Sequence, residues 1–250
     1  MKIAVYALTL SRHIKGFSSE RIKSIARIKT KYNLDIKLFI DQDESLQQEC
    51  LDLIRGDVEV IDIRENLTNN LKKIPHINAV VEGKRNIGYK GMCLFNFSEY
   101  IHYLEGYDYA IRLDGDSIIH SDLFLDDFID GDNIYGYVKD QFDGHKDTKE
   151  TLPLAIKKYI DNNDIKIYCD REKINTWNFY NNFHISKLSF WQKPEVLDFI
   201  NFIHQEGGIE KYRWGDSTLQ ANAIRMFCPA EKINKFDFKY EHGSHRYKNF

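Results

Sequence analysis

The sequence is poor in proline, and its cysteines are few and scattered. Proline accounts for 4 of the 250 residues, and no Ser/Gly-rich tract interrupts the chain, so we expect no linker, repeat or low-complexity segment. The four cysteines lie too far apart for a CxxC redox pair or a local zinc knuckle. We therefore predict one domain spanning residues 1–250, with reduced and mostly buried thiols.

Long apolar runs are also missing. No stretch approaches the roughly 20 apolar residues that a membrane span needs, and the mean hydropathy is −0.51. The apolar run at residues 3–8 is too short for a signal peptide and is typical of a first strand. The sequence favours a soluble, cytoplasmic protein.

Neither sign of charge dominates. Lys and Arg total 35 against 38 for Asp and Glu, which gives a formal net charge of −3. Nucleic-acid affinity depends on clustered basic residues, so this balance argues against a nucleic-acid partner. The apolar fraction of 42% and the aromatic fraction of 14% exclude a disordered chain.

The common motifs of several enzyme classes do not occur. The sequence contains no GxxxxGK[ST] phosphate loop, no GxGxxG after a strand, no HExxH and no GxSxG. The chemistry must therefore come from carboxylates, histidines and aromatic residues in other arrangements.

The order of predicted elements indicates an α/β fold. Apolar runs alternate with helical periodicity through the first 140 residues, which is typical of a sheet covered by helices. The predicted strands are residues 3–10, 37–40, 58–63, 107–113 and 134–138. The predicted helices are one carrying Ile22, Ile25 and Ile28 on one face, then 44–55, 89–104, 152–160, 195–204 and 217–227. Residues 175–191 favour a strand and a pocket wall, so we predict a Rossmann-type nucleotide-binding sheet fused with a mixed acceptor-binding half.

Two helix ends have clear sequence signals. Gly207 and Gly208 are predicted to end the helix over residues 195–204, because glycine adopts the left-handed conformation that often closes a helix. Asp216 is placed to cap the following helix.

An Asp-x-Asp tripeptide is the first candidate for metal chemistry. It occurs at residues 41–43, 114–116 and 130–132. Only Asp114 and Asp116 directly follow a hydrophobic strand, and open α/β sheets bind ligands at the carboxyl ends of their strands. The two carboxylates could hold Mg²⁺ or Mn²⁺ and so neutralise a diphosphate, although a solvated acidic turn has the same composition. The other two pairs are predicted to be a helix cap and a turn.

Among nine histidines, His242 is the candidate third ligand. It lies with Tyr240, Glu241 and His245 in a terminal segment that is too polar for a core. Most single histidines are surface or core groups, so composition alone leaves both readings open.

Ordered segments of the chain resemble the fungal α-1,2-mannosyltransferases of glycosyltransferase family 15. Residues 87–95 (IGYKGMCLF) and 107–116 (YDYAIRLDGD) are similar to the family's GYxxMCRF and YDYYWRVEPD segments. Residues 182–185 (NFHI), 207–208 (GG), 213–216 (RWGD) and 240–242 (YEH) are similar to its NFEI, GG, RWGD and GYxH segments, in the same order. The resemblance covers roughly residues 87–246 and extends more weakly to the start of the chain.

The resemblance implies a GT-A fold, a GDP-mannose donor, a glycan acceptor, a Mn²⁺ or Mg²⁺ ion and transfer with retention. Asp114 and Asp116 match the two acidic residues of EPD, and His242 matches a metal-binding histidine. We therefore expect Asp114, Asp116 and His242 to hold the ion.

The other expected site residues form two overlapping groups. The residues expected to contact the nucleotide sugar are Arg12, Tyr89, Arg112 and Asp114. Those expected to contact the transferred sugar or the acceptor are Asn182, Arg213, Trp214 and Asp216. The catalytic candidates are Tyr89, His184 and Asp216. Purely structural roles remain open for four of these residues: a surface position for Arg12, an aromatic at a helix start for Tyr89, core packing for Trp214 and a helix cap for Asp216.

His184 stands where the family has a glutamate. A neutral imidazole cannot replace a carboxylate nucleophile, so we expect position 184 to shape the pocket while the acceptor attacks on the face that the diphosphate leaves. The family's amino-terminal membrane anchor has no counterpart in this sequence, which favours a free-standing enzyme.

Three other functions remain open from the sequence. The chain could be a transferase of another nucleotide sugar or a nucleotidyltransferase, although residues 9–13 (TLSRH) lack the glycine-rich loop of the latter. It could also be a glycan-binding module on a GT-A fold without catalysis.

Overall fold

The computed structural model describes residues 1–9, 24–40, 58–65, 87–115 and 117–243. Its strands are β1 (Lys2–Thr9), β2 (Ile28–Lys29), β3 (Asn33–Ile40), β4 (Val58–Asp62), β5 (Tyr109–Leu113), β6 (Ser117–Ile119), β7 (Leu123–Phe124), β8 (Tyr135–Tyr137), β9 (Asp140–Phe142), β10 (Trp177–Phe179), β11 (Phe183–Lys187), β12 (Ile233–Lys235) and β13 (Tyr240–His242). Its α-helices are α1 (Ile87–Leu94), α2 (Tyr100–Tyr103), α3 (Asp126–Asp130), α4 (Lys146–Asn163), α5 (Leu188–Trp191), α6 (Pro194–Glu206), α7 (Gly208–Tyr212) and α8 (Asp216–Phe227). A π-helical segment, Phe95–Glu99, joins α1 to α2, and two short 3₁₀ turns span Arg171–Lys173 and Ala230–Lys232.

A mixed seven-stranded sheet, in the order β12-β8-β11-β5-β1-β3-β4, runs through the described part of the chain. Strand β1 pairs in parallel with β3 and β5, and β3 pairs in parallel with β4. Strand β11 is antiparallel to both β5 and β8, while β12 is parallel to β8. The predicted α/β class is confirmed, and the predicted first strand is shifted by one residue.

Alternating side chains of the central strands enter two separate cores. In β1, Ala4 and Tyr6 pack on the face covered by helices such as α4, α6 and α8. Ile3 and Val5 point to the opposite face, which also buries Phe128 of α3. Both faces of the sheet are therefore covered, which explains why β1 is a nearly continuous apolar run.

Several sequence predictions change in the structure. Ile28 belongs to strand β2, which pairs with β7, and not to a helix. The helix predicted over 89–104 is interrupted by the π-helical segment. The end of the predicted strand region 175–191 is helix α5. The helix predicted over 44–55 lies outside the described residues, as do residues 10–23, which include Ile22 of the first predicted helix.

The two predicted helix ends differ in outcome. Gly207 ends α6 in the left-handed conformation with φ of 64°, as predicted, while Gly208 already begins α7. Asp216 is the first residue of α8 rather than its cap, because Gly215 occupies the cap position. The Asp216 carboxylate is directed instead toward Arg112 and Asn181.

None of the helices in the described ranges combines the length and the apolar character that crossing a membrane requires.

Candidate active site

The candidate site lies where β5 ends. Asp114 follows Leu113 directly, and its backbone N–H donates a 2.9 Å hydrogen bond to the carbonyl oxygen of Asn182, just before β11. The adjacent antiparallel strands thus place the Asp114 and Asn182 side chains at the same edge of the sheet. Two predicted site residues, Asp116 and Arg12, lie outside the described residues.

His242 reaches this edge through a short strand pair. Strand β13 is antiparallel to β6, with His242 opposite Ser117. The pairing leaves the His242 Nε2 atom 3.8 Å from Asp114 Oδ2. Two of the three predicted metal ligands therefore come together although they are far apart in the sequence.

Asn182 lies between these two ligands. Its Nδ2 atom is 2.6 Å from Asp114 Oδ2 and 2.8 Å from His242 Nε2. The opposite ring nitrogen of His242 is 3.2 Å from the Tyr180 hydroxyl. The imidazole is thus oriented on both sides, as metal-binding histidines commonly are.

The chemistry of Asp114 and His242 fits a divalent cation. A carboxylate oxygen and an imidazole nitrogen are both ligands of ions such as Mn²⁺, and here their acceptor atoms face one point occupied by the Asn182 amide. Within the described ranges, no group of three His, Cys, Asp or Glu side chains could enclose an ion. The predicted third ligand, Asp116, is outside those ranges.

Arg112 joins two carboxylates below the surface. Its side chain is 4% exposed, and its Nε and Nη2 atoms donate to Asp114 at 2.6 and 3.2 Å. Its Nη1 atom donates to Asp216 Oδ2 at 2.6 Å. The arginine predicted to contact the nucleotide therefore points toward the interior and fixes two acidic side chains.

Asp216 is held by a second donor. The Nδ2 atom of Asn181 is 2.8 Å from Asp216 Oδ2 and 3.2 Å from Gln220 Oε1. Asp216 is 6% exposed. A carboxylate with this little water contact requires the charge and the hydrogen bonds that Arg112 and Asn181 supply.

Tyr89 and Arg213 are in contact at the start of the RWGD segment. The Arg213 guanidinium lies 5.8 Å from the centre of the Tyr89 ring, and its Nη1 is 3.3 Å from Asp143 Oδ1. The Arg213 backbone is left-handed, with φ of 59°. Burial raises the pKa of the Tyr89 hydroxyl, which therefore stays protonated at neutral pH.

Trp214 is a core residue in this structure. It is 1% exposed, and its indole Nε1 donates a 2.8 Å hydrogen bond to Thr151 Oγ1. The predicted stacking on a sugar face is not compatible with this placement, because the rings are covered by protein. The alternative interpretation, core packing, accounts for Trp214.

His184 is enclosed beneath the site. Its ring stacks on Tyr135 at 5.3 Å and contacts the edge of Tyr6 at 6.5 Å. Burial, with a smaller effect of the Arg112 charge, lowers the pKa of His184 to about 3. The imidazole is therefore neutral at physiological pH, and its complete burial places it among core side chains rather than on an open pocket wall.

Sequence reasoning missed Asn181 and Tyr180 as supports of the site. Asn181 contacts Asp216, and Tyr180 orients His242. The available signal was their position immediately before the NFHI segment, which already contained the predicted residue Asn182. Polar residues flanking such a segment could have been assigned as candidate supports.

Comparisons with known proteins identify the family of this chain. A family profile described as glycolipid 2-alpha-mannosyltransferase matches residues 8–246. The glycolipid 2-alpha-mannosyltransferase 2 of Candida albicans is 26% identical over 98% of this chain and 63% of its own length. The mannosyltransferase KTR6 of Saccharomyces cerevisiae is 24% identical over 86% of this chain and 57% of its own length. The chain thus spans about six tenths of the length of these curated relatives.

Solved structures share the architecture. Core-mannan synthase A from Aspergillus fumigatus, solved in a Mn/GDP form, superposes with a TM-score of 0.75 at 20% identity, covering 96% of this chain and 74% of that one. The mannosyltransferase Ktr4p from S. cerevisiae, in complex with GDP, gives 0.73 at 20% identity, covering 96% and 70%. These similarities show that the described chain has the GT-A fold.

Proposed function

Because the chain belongs to the glycolipid 2-alpha-mannosyltransferase family, we propose that it transfers mannose from GDP-mannose to a hydroxyl of a glycan, with retention and with the help of a divalent cation. The observation that carries this proposal is the meeting of Asp114 and His242 at the end of β5. The carboxyl ends of the strands are where α/β sheets bind nucleotides.

The proposed cation site uses Asp114 and His242, with Asp116 as the expected additional ligand. A divalent ion bound there would neutralise the negative charge of the diphosphate as it departs. Arg112 supports this role from below, because two of its nitrogens fix both oxygens of Asp114. The carboxylate is therefore oriented before any ligand arrives, which reduces the cost of organising the site.

The proposed transfer does not use residue 184 as a nucleophile. A neutral, fully buried imidazole cannot supply the negative charge that a covalent sugar intermediate would need. Attack on the same face as the departing diphosphate requires no such residue. In this proposal Asp216 accepts a hydrogen bond from the acceptor, with its orientation fixed by Arg112 and Asn181.

The test is a donor assay with paired substitutions. Asp114→Asn and His242→Gln should each lower Mn²⁺-dependent release of GDP from GDP-mannose by roughly a hundredfold, since each removes a charge or a ligand. The proposed retention predicts an α-linked product, which nuclear magnetic resonance would identify.

Asp130→Asn is the matched control for the assay. Asp130 belongs to another Asp-x-Asp tripeptide but pairs at the surface with Lys31. It should leave activity unchanged. Near-normal turnover in Asp114→Asn would contradict the proposal. Activity with another nucleotide sugar but not with GDP-mannose would show that the proposed donor is wrong.

A further inference from the structure

A single amide group of Asn182 faces both acceptor atoms of the predicted cation site. The distances are 2.6 Å to Asp114 Oδ2 and 2.8 Å to His242 Nε2, and these two atoms are 3.8 Å apart. The three distances put the carboxylate oxygen and the ring nitrogen nearly at a right angle around Asn182 Nδ2. Neighbouring ligands of an octahedral ion have the same angular relation.

Hydrogen-bond chemistry assigns the atoms in this triangle. An ionised carboxylate only accepts hydrogen bonds, so the Asn182 atom beside Asp114 is the amide nitrogen, not the oxygen. The same nitrogen faces His242 Nε2, so Nε2 is the unprotonated ring nitrogen and accepts the second N–H. The proton is then on Nδ1, which donates to the Tyr180 hydroxyl oxygen at 3.2 Å. This tautomer is the one in which Nε2 can bind a metal.

The amide therefore occupies the point on which the two lone pairs converge. A cation bound by Asp114 Oδ2 and His242 Nε2 needs those lone pairs. The two hydrogen bonds from the Asn182 amide must therefore break when the cation binds. The backbone of Asn182 stays in place, because its carbonyl accepts the Asp114 N–H at 2.9 Å. The side-chain torsions of asparagine can still change: they withdraw Nδ2 from this point, and a turn of the broad terminal torsion then directs Oδ1 toward it.

We propose that Asn182 is a further cation-binding side chain, in addition to Asp114, His242 and the expected ligand Asp116. In the structure its amide nitrogen bridges Asp114 and His242, and in the proposed cation-bound arrangement the amide turns and its Oδ1 becomes a ligand. An amide carbonyl is a hard oxygen ligand suited to Mn²⁺ or Mg²⁺. This inference rests on the proposed cation site and adds a residue that changes its role between the two states.

Metal titration of the full chain separates this proposal from a purely structural role. Mn²⁺ binding would be measured by calorimetry and by the electron paramagnetic resonance signal of the free ion, without donor or acceptor. Asn182→Ala should weaken Mn²⁺ binding roughly tenfold, since a ligand is lost. Asn182→Asp should bind Mn²⁺ several-fold more tightly than the parent protein, because it supplies a charged oxygen at the same position.

Thermal unfolding in the presence of a chelator supplies a second readout. Asn182→Asp should melt below the parent protein without metal, because it sets a carboxylate beside Asp114 and removes the bridging donor. Added Mn²⁺ should raise the melting temperature of Asn182→Asp more than that of the parent. Asn163→Ala is the control: its amide donates to the carbonyl oxygen of Tyr159 at the end of α4, so its Mn²⁺ affinity should stay within about twofold of the parent.

Each outcome has a distinct meaning. If Asn182→Asp binds Mn²⁺ more weakly than the parent, the amide acts only as a donor and the proposal is overturned. Unchanged affinity in Asn182→Ala would overturn it as well. If the parent protein itself binds no Mn²⁺, the metal-dependent function fails first, and this inference fails with it.

Discussion

At the scale of single residues, one guanidinium determines the charge balance of the site. The Arg112 guanidinium forms ion pairs with the carboxylates of Asp114 and Asp216, and these two residues come from opposite halves of the chain. Removing one partner from a buried ionic network leaves an uncompensated charge, which typically costs about 3–5 kcal/mol. The same arginine therefore supports both the fold and the orientation of a predicted metal ligand.

The substitution Arg112→Met tests this double role. We expect the free energy of unfolding to fall by about 3 kcal/mol or more, because two carboxylates lose their counter-charge. Urea unfolding measures this loss. The double variant Arg112→Met/Asp216→Asn should lose less stability than the sum of the two single variants, since it removes one stranded charge. Simple additivity would show that the two side chains are not coupled.

Gly208 offers a second prediction at the residue scale. A Cβ atom at this position would collide with the ring of Trp214. Gly208→Ala should therefore lower the free energy of unfolding by about 1–3 kcal/mol through overpacking. Gly144→Ala is the control, because an added Cβ there would make only ordinary contact with Phe142, at 3.5 Å. Equal melting temperatures of the two variants would contradict the assigned packing of Trp214.

At the scale of elements, the pattern of apolar and polar residues predicted regular helices and strands better than it predicted local irregularities. Apolar periodicity predicted helices α6 and α8 to within two residues and the central part of α4, and a continuous apolar run predicted strand β1. The two-residue strand β2 could not be predicted, because its structure depends on pairing with β7, about a hundred residues later. The π-helical segment keeps apolar residues on a buried face, so its pattern resembles that of an α-helix.

The site, too, could be predicted only in part from the sequence. Asp114 could be located because it follows a recognisable strand, and His242 through its resemblance to a family motif. The inward direction of Arg112 and the burial of His184 could not be predicted, and the sequence could not decide between core packing and sugar stacking for Trp214. They depend on which face of the sheet the helices cover and on contacts between distant segments.

A prediction about the pH dependence of stability concerns His204 in helix α6. Burial lowers the pKa of His204, whose Nε2 lies 3.1 Å from Ser98 Oγ. The unfolded chain, with an ordinary histidine pKa of about 6.5, then binds more protons in mild acid than the folded protein. The stability associated with neutral His204 is complete above that pH and is lost as the pH falls.

The variant His204→Gln checks this direction. Unfolding free energies from urea titrations at pH 7.5 and 5.5 should differ less in His204→Gln than in the parent protein. The exposed His102 provides the control substitution His102→Gln, which should retain the parent's pH dependence. An unchanged difference in His204→Gln would mean that His204 does not contribute.

At the scale of the whole molecule, the proposed donor makes a prediction about stability. A ligand that binds only the folded state adds RT ln(1 + [L]/Kd), or about 2.7 kcal/mol at a hundred times Kd. GDP together with Mn²⁺ should therefore raise the melting temperature, and UDP with Mn²⁺ should raise it less. A larger effect of UDP would assign the protein to a different nucleotide sugar within the same fold.

The pairing of β13 with β6 also has a consequence for biosynthesis. His242 follows Asp114 by 128 residues (242 − 114), a stretch that a ribosome translates in on the order of ten seconds. A nascent chain can form β1, β3 and β5 during that interval while Asp114 still lacks its imidazole partner. In the proposed cation site, both side chains are therefore available to manganese only after residue 242 has been translated.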